Sequence, residues 1–355
     1  MSGLQQDDDR TRRAVGEWFY NAWKHASIAS YLAPRFKTLA LHMTQQSMEF
    51  AAKGIGLNAK LSHKQITKTR HNNLNLFIWF HDIMLKQTKS APYLNEWLFS
   101  WLGEREELKA DTQVENLLQL TASPEDAKLL SEKQRKAAKD FYESALTMTP
   151  EQVGGMLNIL SQLRGQQKRW RKAINHVTRT PMSLTRATGN DFSESLSRQV
   201  RELTNERLNQ ISLHNPAIRS ESLVDHFVKI LTEIIGETQL ESELETMGWR
   251  VTFSKKDAKR LLFTSFEVPV TFTEMLIVGS IAWPHESYTR YPASPDAALL
   301  SFGEAAKRRQ LGSEHYSENV GAIKHIKTLS RLAVSVTRSL QKSHEEGFLF
   351  TTLEK

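Results

Sequence analysis

The sequence predicts a mainly α-helical protein, on three observations. Apolar and small residues recur at helical spacing, most clearly Val15, Trp18, Phe19, Ala22, Trp23, Ala26 and Ala29. Helix boundary signals punctuate the chain, with Ala33-Pro34 and Thr149-Pro150-Glu151-Gln152 as starts and Gly54 and Gly56 as stops. Strand-like runs are confined to 249–253 and 261–266, both rich in β-branched and aromatic residues, which suits one small hairpin.

Taken in order, residues 1–10 read as a disordered acidic tip and 11–32 as the first core helix. Pro34 restarts the chain, since proline is tolerated in a first helical turn and not in an interior. The second helix runs to about Lys53, and a polar loop over 57–62 leads to a third, with Leu74, Phe77, Ile78, Phe80 and Leu85 on a broad apolar face. Ala91-Pro92 breaks that helix, and Tyr93, Trp97, Leu98 and Trp101 mark a short aromatic one. Residues 111–120 and 124–146 read as helical, and the Thr149 signal opens another helix that Thr180-Pro181 closes. A polar helix over 191–213 follows, then His214-Asn215-Pro216 and a helix over 223–235. After the strand candidates come an apolar helix from 268 and a last helix over 323–340.

With 355 residues and no cysteine, the chain can bury a sizeable core without disulfides or thiolate metal sites, which fits a cytoplasmic address. The N-terminus lacks the apolar centre of a signal peptide. The apolar run 268–283 is too short, and too interrupted by Glu274, to span a bilayer, so no membrane partner is expected. The net charge of +7 is unevenly placed. Residues 152–190 contain no acid and seven cations: Arg164, Lys168, Arg169, Arg171, Lys172, Arg179 and Arg186. Residues 32–89 carry nine cations against two acids, so two blocks at +7 each leave the rest of the chain at −7. Basic blocks on an acidic background suit a phosphate-facing surface, with scattered solvated lysines as the plain alternative. Trp170, between Arg169 and Arg171, serves either to stack on an unpaired base or to anchor an otherwise basic helix.

On the second helix Gln46, Glu49 and Lys53 fall along one stripe, with Glu N-terminal to Lys in the better i,i+4 orientation. QQSMEFAAKG (45–54) resembles the "QQAxEKxxKA" helix of HEPN domains, and TRHNNL (69–74) resembles the turn that follows it there. TFTEMLIVGSIAWPHESYTRYP (271–292) resembles the HEPN helix ending in "Y-x-x-RYP", with Tyr288, Arg290, Tyr291 and Pro292 in order. The resemblance covers roughly half the chain. It implies a HEPN-like up-and-down four-helix bundle made of residues 11–89 and 268–345, interrupted by a largely helical insertion over 90–267 that carries the basic segment 152–190. It implies a homodimer that binds RNA or a nucleotide, with no cofactor, in a bacterial antiphage-defence or toxin–antitoxin setting with a protein partner. On that basis Lys53, Arg70, His71, Arg290 and Tyr291, with Lys168, Arg169, Arg171 and Lys172 of the basic segment, are the expected RNA or nucleotide contacts.

HEPN ribonucleases use an Arg and a downstream His with four to six residues between them, without a metal. Arg holds the scissile phosphate and His moves the proton of the 2′-hydroxyl. That loose spacing recurs here at Arg35–His42, Arg171–His176, Arg207–His214, Arg219–His226 and Arg309–His315, so spacing alone selects nothing. No His follows Arg290 at the family distance, which leaves Arg309 and His315, just before the last helix, as the catalytic candidates. The alternative is a non-catalytic nucleotide-binding or adaptor module. A more distant one is a metal phosphohydrolase of the HD type, in which His81-Asp82 would ligate the metal with His42 or His71 and Asp225.

Overall fold

The computed structural model describes residues 3–58, 66, 130–179, 182–184, 198–206, 225, 228–229, 249–251, 254, 256 and 267–347, and these are mainly helical. The chain divides into two units. Unit 1 comprises Met1–Leu85, Thr112–Gln162 and Val270–Lys355, and unit 2 comprises Lys86–Asp111 and Leu163–Pro269.

Unit 1 is organised by three helices that pack on one another: α1 (Gly3–Leu32), α2 (Lys37–Asn58) and a C-terminal helix (Ile326–Glu345). Helix α1 takes in most of the expected disordered tip, and its buried stripe is Val15, Phe19, Ala22, Ala26 and Ala29, with Ala33 just past its end as a fourth small residue. Alanine adds little bulk, so α2 approaches closely enough for the Ser47 hydroxyl to donate to the Ala22 carbonyl at 2.8 Å. Gly54 and Gly56 do not stop α2, which runs on to Asn58, and Gly54 extends the same seam. A Cβ there would lie 2.7 Å from the Phe19 ring and 3.1 Å from the Trp18 Cβ, so only glycine fits without displacing α1.

The next described helices are α3 (Leu130–Ala145) and α4 (Pro150–Arg179). The N-terminal signal at Thr149 is realised as a reciprocal cap, with the Gln152 amide donating to Thr149 Oγ1 at 3.4 Å and the Thr149 amide to Gln152 Oε1 at 2.9 Å. The sequence places 112–162 in the insertion, whereas it clusters with unit 1. Hydrogen bonds to the C-terminal elements tie it there. The Gly321 amide donates to the Met148 carbonyl at 3.1 Å, and His325 Nε2 lies 2.8 Å from the Pro150 carbonyl.

Helix α5 (Val268–Ala282) buries Phe272, Met275, Ile277, Val278 and Ile281 and runs into a 3-10 turn, Trp283–His285, that packs against α2. A helix this apolar has to be covered nearly all round, and Glu274 is buried with it. Helix α6 (Phe302–Arg308) is opened by a Ser301–Glu304 capping box and closed by Arg309 in the left-handed region, at φ 56°. A second 3-10 turn (Ser313–His315), the short α7 (Gly321–Lys324) and α8 (Ile326–Glu345) complete the unit. The expected third helix around Leu74–Leu85, with Arg70 and His71, lies outside the described residues, as do the aromatic helix near Trp97 and the His81-Asp82 dyad.

In unit 2, Leu163–Arg179 of α4 is followed by an antiparallel pair, β1 (Met182–Leu184) and β2 (Trp249–Val251), in register Met182↔Val251, Ser183↔Arg250 and Leu184↔Trp249. The first strand of the expected hairpin forms and pairs with a segment far upstream, while its expected partner, 261–266, lies outside the described residues. Local composition marks a strand and leaves its partner open, because ladder hydrogen bonds accept any backbone. Among the described residues no helix is long and apolar enough to cross a membrane.

Candidate functional site

The polar stripe of α2 is inside the protein. From Thr44 to Asn58 every residue except Phe50 is buried, and Gln45 and Glu49 are wholly so. Lys53 Nζ donates to Glu49 Oε1 at 2.5 Å. Gln45 Nε2 donates to Glu49 Oε2 at 3.0 Å, and Gln46 Nε2 to Gln45 Oε1 at 2.8 Å. Lys53 Nζ also sits 5.8 Å from the centre of the Trp18 ring, within cation–π range. Desolvating a carboxylate is costly unless donors surround it, and here an ammonium and an amide donate to it directly. The stripe therefore faces the interior and not solvent.

The second motif repeats the design. Arg290 pairs with Glu286 four residues before it at 2.9 Å, and Glu286 is buried. Tyr291 next to it is exposed. Each motif cation, Lys53 and Arg290, is thus matched by a buried carboxylate at i−4, and a charge so matched is less available to a phosphate.

Around the 3-10 turn lies a cluster that no sequence pattern brings together: His285, Tyr142, Tyr288 and Tyr316. The His285 ring is buried, its Nδ1 is 3.0 Å from the Tyr316 hydroxyl, and its Nε2 has no hydrogen-bond partner among the described residues. Tyr316 packs edge-on against both His285 and Phe302. Burial raises the Tyr142 and Tyr316 hydroxyls well above the usual phenol range, with the Glu286 charge adding to the first. Burial alone lowers His285 to about 3, so the ring is neutral in the folded protein. An unfolded chain takes up that proton as pH falls through about 6.5. The stability contributed by a neutral His285 is therefore fully present above pH 6.5 and is lost as pH falls towards 3. Between pH 7.5 and pH 5 the parent is expected to lose about 2 kcal/mol more than His285→Gln, at about 1.4 kcal/mol per pH unit. Urea unfolding at the two pH values measures this, and parallel losses would contradict the assignment.

Arg309 and His315 sit in different settings. Arg309 is the exposed left-handed residue that closes α6. His315 is buried and pinned at both nitrogens: Nδ1 accepts from the Gly312 amide at 2.9 Å, and Nε2 donates to the Ala297 carbonyl at 2.9 Å. That ring staples the segment before α6 to the segment after it.

The cationic surface lies in unit 2. On α4, Lys168, Lys172 and Arg179 are exposed within an arc of about 40° and a rise of about 16 Å. Arg164 and Arg171 widen the arc to about 100°. Arg171 is exposed and paired with Glu267, while no described carboxylate lies within ion-pairing distance of Lys168, Lys172 or Arg179. The side chains of Arg169, Trp170 and His176 are outside the described set. Among the described residues no group of three or more His, Asp or Glu is placed to hold a metal. No family model, curated protein or solved structure matches this chain.

Proposed function

We propose that this chain is a HEPN-type RNA-binding protein that holds the phosphate backbone of single-stranded RNA on the exposed face of α4. The observation that carries the reading is the row Lys168, Lys172 and Arg179, with Arg164 and Arg171 beside it, on a helix face without acids from 152 to 190. A row of cations of one sign releases the counterions of a polyphosphate when it binds, which supplies affinity without sequence preference. The HEPN part rests on the two motifs, QQSMEFAAKG and YTRYP, which lie in one unit as buried carboxylate–cation pairs. The homodimer and the defence or toxin–antitoxin setting come with that resemblance.

The reading gives Arg309 and His315 no cutting role. A general base needs a ring nitrogen within reach of the 2′-hydroxyl, and both nitrogens of His315 are held by backbone. Pure protein incubated with total RNA, with and without chelator, is expected to retain the RNA intact. New ends that disappear in His315→Gln would restore the ribonuclease reading.

A further inference from the structure

We infer that the outer face of α8 is a second RNA phosphate contact, built on unit 1 and separate from the α4 row. The inference rests on the RNA-binding reading above and extends it to a surface that no motif marks. Packing orients this helix: Ile326, Leu329, Ala333, Val336 and Leu340 are buried where it meets α1 and α2, so the opposite side is turned to solvent. On that side stand Lys327, Arg331 and Arg338, all exposed, within an arc of about 40° and a rise of about 16 Å.

Three features separate this face from an ordinary solvated one. The chain has no acid from 319 to 344, so the row is of a single sign. A surface helix that only needs solubility interleaves Glu with Lys at i,i+4, and like charges at that spacing, as at Lys327 and Arg331, cost the helix a few tenths of a kcal/mol. No described carboxylate lies within ion-pairing distance of the three cations, although Glu318 is near enough to Lys327 to feel its field. Finally, the offsets of four and seven residues between Lys327, Arg331 and Arg338 are those between Lys168, Lys172 and Arg179 on α4. Two helices in different units thus present the same cation spacing, which favours one kind of polymer, a phosphate backbone, over an acidic protein surface.

The test is a salt titration of binding to a fluorescent single-stranded oligoribonucleotide, using the full chain and the variant K327Q/R331Q/R338Q. Removing three cations from the phosphate-facing row is expected to flatten the slope of log K against log salt by about 2 and to weaken binding about fiftyfold at 0.15 M salt. Arg331→Lys with Arg338→Lys keeps the charges and should keep the slope. Circular dichroism checks folding, and exposed substitutions of this kind shift stability by about 0.5 kcal/mol or less. An unchanged slope overturns the inference, including the case in which the variant loses affinity only for polyglutamate, which would make the face a site for an acidic protein. If K327Q/R331Q/R338Q weakens binding while K168Q/K172Q/R179Q does not, the α4 reading fails and this one stands. The reverse pattern leaves the α4 reading and removes this one.

Discussion

Lys53→Met is expected to lower the stability of the protein by about 3–5 kcal/mol. The substitution keeps the length and most of the apolar volume of the side chain, so packing against Trp18 changes little. What it removes is the ammonium 2.5 Å from a carboxylate that is wholly out of water. The Gln45 amide still donates to Glu49, but a neutral donor offsets only part of the cost of burying the charge. The double variant Glu49→Gln with Lys53→Met removes both charges and is expected to recover most of the loss, since a buried pair often contributes little over an uncharged replacement. Denaturant midpoints of the two variants and the parent measure both effects. If Lys53→Met costs less than about 1 kcal/mol, the range of an exposed pair, then Glu49 is not held out of water in the folded protein.

Much of the helical scaffold is legible in the sequence, because helical periodicity is local. The seam of α1 follows from the spacing of Val15, Phe19, Ala22, Ala26 and Ala29, and the start of α4 follows from the Thr149–Gln152 signal. What covers a stripe is not local. Gln45, Gln46, Glu49 and Lys53 have the spacing of a solvated face, and only the packing of unit 1 puts them inside. The same limit applies to β2, whose sequence marks a strand without naming Met182–Leu184 as its partner. His315 shows it again: an Arg six residues upstream fits a loose catalytic spacing, while the Gly312 amide and the Ala297 carbonyl that occupy its ring are invisible in that pattern. His285 and Tyr316, 31 positions apart, carry no pattern at all. The cations of α4 are the opposite case. The acid-free run 152–190, laid along a helix, marks their face in the sequence.

The second large effect concerns affinity. In K168Q/K172Q/R179Q the helix keeps its fold, since glutamine is nearly as good a helix former as lysine or arginine and all three positions are exposed. Arg171 is left in place because its guanidinium pairs with Glu267, and removing it would mix a structural effect with the loss of a phosphate partner. Neutralising the three cations is expected to weaken affinity for single-stranded RNA about fiftyfold at 0.15 M salt, with the difference shrinking as salt rises. An effect without salt dependence would point instead to a general disturbance of unit 2.

The most direct measurement of the central idea is the salt slope of RNA binding for that variant beside the parent. A phosphate-gripping α4 makes the parent slope steeper by about 2. Two superimposable slopes would mean that RNA, if bound at all, is held elsewhere.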